Sequence, residues 1–115
     1  MTKLVGVHAL ELRPGVDPAA FEQVCAEVVG VRMYPGWSTR ILKGERGARA
    51  GKYAVVFEID SVEDRDRIFP EPDQHSAEAQ QFDNEHPESS AVWDRLFELV
   101  DLEADVVTDY LIVAE

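Results

Sequence analysis

The chain opens on an alternation that reads as a β-strand. Over residues 3–12, Leu4, Gly6, His8, Leu10 and Leu12 fall on one side and Val5, Val7, Ala9 and Glu11 on the other. Both sides are largely apolar, so both are expected to be covered. Arg13-Pro14-Gly15 supplies a turn. Asp17 then suits a helix N-cap and Pro18 the first helical position, where a missing N–H costs nothing. The helix extends to about Val29, with Phe21, Val24, Cys25 and Val28 on one stripe and Gly30 as its stop.

The pattern then returns to period two. Residues 37–45 form a second strand after Tyr34-Pro35-Gly36, and residues 44–51 read as a flexible basic connection. Residues 52–60 give the clearest strand, with Tyr53, Val55, Phe57 and Ile59 opposite Ala54, Val56 and Glu58. Ser61 and Asp64 resemble a capping box for a short helix that ends before Pro70. Residues 70–90 carry three prolines and dense acidic charge, which predicts a mobile lid with a helical turn or two over 75–82. Ser90 is a candidate cap for a final helix bearing Val92, Leu96, Leu99 and Val100 beside Trp93 and Phe97. Residues 105–113 make the last strand.

The resulting order is β-α-β-β-α-β. Right-handed crossovers then give an antiparallel four-stranded sheet with its helices on one face. If Tyr53, Val55, Phe57 and Ile59 meet the helices, the other face keeps Ala54 and Val56. Leu4, Leu10 and Ile112 are assigned there too. A second copy related by a two-fold axis is the economical cover for that apolar surface, so a homodimer is expected.

In this order of elements, in an opening strand with a mid-strand histidine (VGVHALEL), in the lead Pro35-Gly36-Trp37 and in the junction KYAVVFEIDSVEDRDRIFP, the chain resembles the dimeric α+β-barrel superfamily, whose fold is ferredoxin-like α+β. That group includes antibiotic-biosynthesis monooxygenases, polyketide and olivetolic acid cyclases, muconolactone isomerase, EthD-like proteins and heme-degrading enzymes. The resemblance spans residues 1–115 as a single domain. It implies a small-molecule enzyme, a cofactor-independent cyclase, isomerase or monooxygenase acting on an aromatic or polyketide-like compound. Two alternatives stay open: a non-catalytic binder of heme or another apolar ligand, and a partner-binding module with a filled barrel.

Charge narrows the partners. The 115 residues carry a net charge of -12, and the excess lies in the second half, where residues 58–115 hold 3 basic against 18 acidic side chains. Such a field repels nucleic-acid phosphates and anionic membrane surfaces, so neither is expected as a partner. Hydrophobic residues make up 45%, enough for a folded core. The first residues lack the flank and cleavage site of a signal peptide, which with one cysteine predicts a cytoplasmic protein. Cys25 falls on the apolar stripe of the first helix, where an inert core thiol is expected.

The candidate chemistry follows from the assigned faces. His8 is placed in the barrel with Gly6 and Leu10, Arg40 with Ser38 and Leu42, and Tyr110 with Thr108 and Ile112. This gathers His8, Arg40, Glu58 and Tyr110 around one cavity. His8 would take a proton, Arg40 would hold an enolate or carboxylate, and Tyr110 would donate to a developing oxyanion. Olivetolic acid cyclase-like members use an inward His and Tyr in this way, which is what the resemblance implies for His8 and Tyr110. Trp37, Trp93 and Glu58 are candidate substrate contacts, with Tyr34 and Phe82 as further aromatic wall. The competing arrangement is an interfacial network in which Arg40 pairs with Glu58 and His8 bonds within it. No cofactor is expected. His75, Glu78, Asp83, Glu85 and His86 match no metal-ligand spacing, so no metal is expected either.

Overall fold

A computed structural model describes residues 3–115. Four strands, β1 (Leu4–Leu10), β2 (Trp37–Lys43), β3 (Tyr53–Ile59) and β4 (Val106–Leu111), pair antiparallel in the order β2-β3-β1-β4. Four helices, α1 (Pro18–Val28), α2 (Val62–Ile68), α3 (Ala77–Glu85) and α4 (Pro87–Glu98), complete the ferredoxin-like α+β fold. No helix among the described residues is long and apolar enough to cross a membrane.

Local chemistry accounts for the helix boundaries. Asp17 caps α1 by accepting from the Ala19 amide, with Pro18 in the first turn. Ser61 accepts from the Asp64 amide and opens α2. The final helix starts a turn earlier than Ser90 suggests. Pro87 occupies its first turn, and His86 stands at the cap without a side-chain bond. The acidic stretch 70–90 is also more regular than its prolines imply. Ser76 caps α3 by accepting from the Ala79 amide, and Ala79 is fully buried. A single buried alanine anchors this helix, which is why hydrophobic periodicity did not mark it.

The 44–51 connection is pinned rather than loose. The Arg49 guanidinium donates to the carbonyls of Leu10 and Tyr53, each at 2.9 Å, and Gly51 N donates to Gly44 O at 2.7 Å. A Cβ on Gly44 would stand 1.9 Å from the Arg49 carbonyl oxygen, so the hairpin closes only with glycine there.

The core lies between one sheet face and the helices α1 and α4. Phe21, Cys25 and Val28 of α1 meet Leu96 and Val100 across Tyr53 and Val55. Leu10 belongs to this cluster, and Leu4 shares its side of the sheet through its register with Ile59. Both were expected on the uncovered face. The opposite face carries Val5, Val7, Ala54 and Val56 from the central strands, with Leu42 and Tyr110 toward the edges. Every residue of β4 is exposed.

Burial, and then the nearby Glu22 charge, push the Cys25 thiol up to about 11. At pH 8, below that value, the folded protein holds little thiolate. Iodoacetamide at pH 8 should therefore alkylate the native protein about a hundredfold or more slowly than the urea-unfolded chain. Equal rates would contradict the packing of α1.

Candidate functional site

The register of β1 settles where its histidine sits. His8 stands opposite Val55, and Gly6 opposite Phe57. Residues directly opposite in an antiparallel pair share a face. Val55 meets the helices, so His8 does too. Arg40, Glu58 and Tyr110 lie on the other face, through the pairs Arg40↔Val56, Val5↔Glu58 and Val5↔Tyr110. The sheet separates the four residues expected around one cavity. Arg40 and Glu58 form an exposed ion pair at 3.2 Å, as the network alternative has it, but His8 takes no part in it.

The helices do not cover the whole of their side. Beyond the core a cleft of about 1110 Å³ opens over Gly6, His8, Phe57 and Val107. Its outer wall comes from the segment before β2, from α2 and the turn after it, and from α3 and α4. On α4, residues 89, 93 and 97 lie four apart, which turns Ser89, Trp93 and Phe97 to the cleft while Leu96, and Val100 just past the helix, enter the core. Trp37 and Trp93 both flank Phe57, with ring centroids 5.5 and 5.7 Å away. His8 meets the same Phe57 ring edge-on at 5.3 Å.

His8 Nδ1 lies 3.2 Å from Asp105 Oδ2. An ionised carboxylate has only lone pairs to offer, so Nδ1–H donates, and in the neutral ring Nε2 then keeps the lone pair. Both side chains are largely buried, at 30% and 18% exposure. Asp105 precedes β4 and is the diagonal neighbour of His8 on this face, because Val107 stands directly opposite the histidine. Its other oxygen, Oδ1, is buried with no partner among the described residues.

The remaining polar groups of the cleft are mostly engaged. Tyr34 donates to Asp83 Oδ1 at 3.1 Å, and burial together with that carboxylate pushes its phenol well above the ordinary value. Trp37 Nε1–H donates to the Asp64 carbonyl at 3.3 Å. Arg65 bridges Asp66 and Asp109, both at 3.0 Å. Asp109 sits over Gly6, where a Cβ would come within 2.9 Å of its Oδ1; glycine makes the room. Of the loop histidines, His75 packs on Phe69 at 4.7 Å, while His86 stacks on Phe82 with Nδ1 on that residue's carbonyl. Among the described residues no three His, Cys, Asp or Glu side chains cluster as metal ligands.

Sequence reasoning missed Asp105, Asp109, Arg65 and Ser89 as cleft residues, and it assigned Phe57 to the core alone. For Asp105 and Asp109 the signal is their alternation with Val107 along the last strand. It becomes readable only once that strand's register against His8 is known.

Neither a known family profile nor a curated protein sequence matches the chain. Solved structures do. A dimeric protein of unknown function and ferredoxin-like fold from Bacteroides fragilis matches at 16% identity and TM-score 0.57, covering 96% of each chain. SnoaB from Streptomyces nogalater, a cofactor-independent oxygenase, matches at 15% identity and TM-score 0.53, over 98% of this chain and 93% of its own. The heme-degrader MhuD from Mycobacterium tuberculosis, with two hemes bound in its active site, matches at 15% identity and TM-score 0.55, over 97% of each. These likenesses establish the fold.

Proposed function

We propose that the protein is a cofactor-independent small-molecule enzyme that uses His8 as a general base on an aromatic or polyketide-like compound, within a homodimer. The observation that carries this reading is the His8–Asp105 pair at the floor of an aromatic-walled cleft. The cleft volume, about 1110 Å³, is ample for a small-molecule ligand. Asp105 fixes the tautomer and ring orientation of His8 and would stabilise its imidazolium. Nε2 would take the proton from a phenolic O–H or from a carbon beside a carbonyl, leaving the electron pair delocalised over the substrate. Trp37, Phe57 and Trp93 would hold the rings and keep water out. Reprotonation elsewhere gives an isomerase, attack on a second carbonyl a cyclase, and reaction with dioxygen an oxygenase. SnoaB, of similar fold, is a cofactor-independent oxygenase, which supports this group of reactions.

Arg40, Glu58 and Tyr110 have no part in this proposal, because they stand across the sheet. They belong instead to the surface that we assign to the second copy. Leu42, Val106 and Tyr110 expose half or more of their surface on that face, and Val113 beyond β4 is 93% exposed. An apolar face beside an unpaired edge strand is what a partner sheet would cover. The Bacteroides fragilis protein of similar fold is dimeric.

Heme is the second reading, since Nε2 of His8 could serve as an axial ligand. The cleft suits it less well: seven carboxylates line or rim the cavity against the guanidinium groups of Arg32 and Arg65, a poor setting for two propionates.

Deuterium incorporation from D2O into a soluble 1,3-diketone or dihydroxynaphthalene, followed by NMR, reads the base without requiring the natural substrate. His8→Ala should slow exchange by about a hundredfold or more, with Asp105→Asn intermediate and the melting curve preserved. Wild-type exchange in His8→Ala would end the base assignment.

Sedimentation at micromolar concentration should give twice the 12.9 kDa chain mass. Tyr110→Glu, which places charge on the open face, should shift the protein toward monomer. A monomeric wild type would contradict the homodimer.

A further inference from the structure

Proton removal by His8 leaves negative charge on the substrate, and seven carboxylates line or rim the cleft in which that charge forms. An anion there needs hydrogen-bond donors already held in position against it. Most side-chain donors of the cleft are engaged within the protein: the Tyr34 hydroxyl on Asp83, the Trp37 indole on the Asp64 carbonyl and Arg65 on two carboxylates. The Ser89 hydroxyl is buried beyond a ligand's reach. Arg32 and His75 are exposed, so water competes for them.

Two half-buried donors remain, and one helix carries both. The Trp93 indole N–H and the Ser90 hydroxyl make no hydrogen bond among the described residues, and neither atom is buried, so both are accessible. Both residues line the cleft, and three apart on α4 they are neighbours on its surface. Trp93 also shares a neighbour with the base. The Phe57 ring has His8 at 5.3 Å and Trp93 at 5.7 Å between centroids.

We propose that Trp93 Nε1–H and Ser90 Oγ–H are the donors that stabilise the oxyanion formed in the cleft. A ligand lying against Phe57 meets His8 from the sheet and the two donors from α4. Nε2 of His8 takes the proton. The electron pair of the broken C–H or O–H bond stays with the substrate, and its charge settles on a carbonyl or phenolic oxygen that accepts from Trp93 and Ser90. This assignment rests on His8 being the base.

The exchange assay on the 1,3-diketone separates the two claims. Trp93→Phe keeps a ring against Phe57 and removes the N–H. It should lower kcat about tenfold or more with KM nearly unchanged, and Ser90→Ala should act in the same direction. A second readout needs no turnover: 4-nitro-1-naphthol, whose naphtholate absorbs visible light, is titrated while bound. Both variants should weaken ionisation of the bound naphthol, Trp93→Phe by about tenfold. Exchange lost in His8→Ala but intact in Trp93→Phe and Ser90→Ala would overturn this inference and leave the base standing. A lower kcat with unchanged naphthol ionisation would assign Trp93 to packing and overturn the donor role, as would a rise in KM alone. Should Trp93→Phe fail to fold, Ser90→Ala carries both readouts, and no change in either would overturn the inference. Exchange that survives His8→Ala would remove the base and this inference with it.

Discussion

The antiparallel pairing of β1 on β3 is the constraint on which the rest depends. It sets His8 against Val55 and Gly6 against Phe57, and each pair faces the helices. A slip of one residue would send Val7 to the helix side and His8 to the open face. The slip is opposed from both ends of the strand, because Leu4 and Leu10 are buried at 1% and 4% exposure. Those two leucines thus hold the histidine between them in place. The same register lifts Gly6 under Asp109 and brings Asp105 beside His8.

From that register the molecule divides into two sides. The helix side has a dry core at one end, where α1 and α4 close over Tyr53 and Val55, and an aromatic cleft at the other. Trp93 and Phe97 belong to the same helix as Leu96, so one amphipathic element shapes both the core and the cleft wall. The cleft geometry is thereby tied to the stability of the core. The open side carries mixed apolar and charged residues, with the Arg40–Glu58 pair among them.

Much of this was legible in the amino-acid pattern. The element order, the Asp17–Pro18 start of α1, the Ser61 cap and the two-sided apolar character of β1 and β3 all follow from local rules. The grouping of His8 with Gly6, Leu4 and Leu10 was legible too. Which way the group points was not: both groups on β1 are apolar enough to face a core, and alternation fixes partition without sign. Only cross-strand pairing supplies the sign, and it is non-local. The order in 70–90 was hidden for a different reason, since Ser76 capping and one buried alanine leave no hydrophobic stripe to read.

The proposed general base requires Asp105 to hold His8 with Nε2 open to the cleft. A long-range ¹H–¹⁵N correlation spectrum of the histidine rings reports it directly. In the neutral ring, His8 is expected to carry its proton on Nδ1 and to leave Nε2 bare, an arrangement that Asp105→Asn converts to a mixture of tautomers. A wild-type His8 protonated on Nε2 with a bare Nδ1 would contradict it.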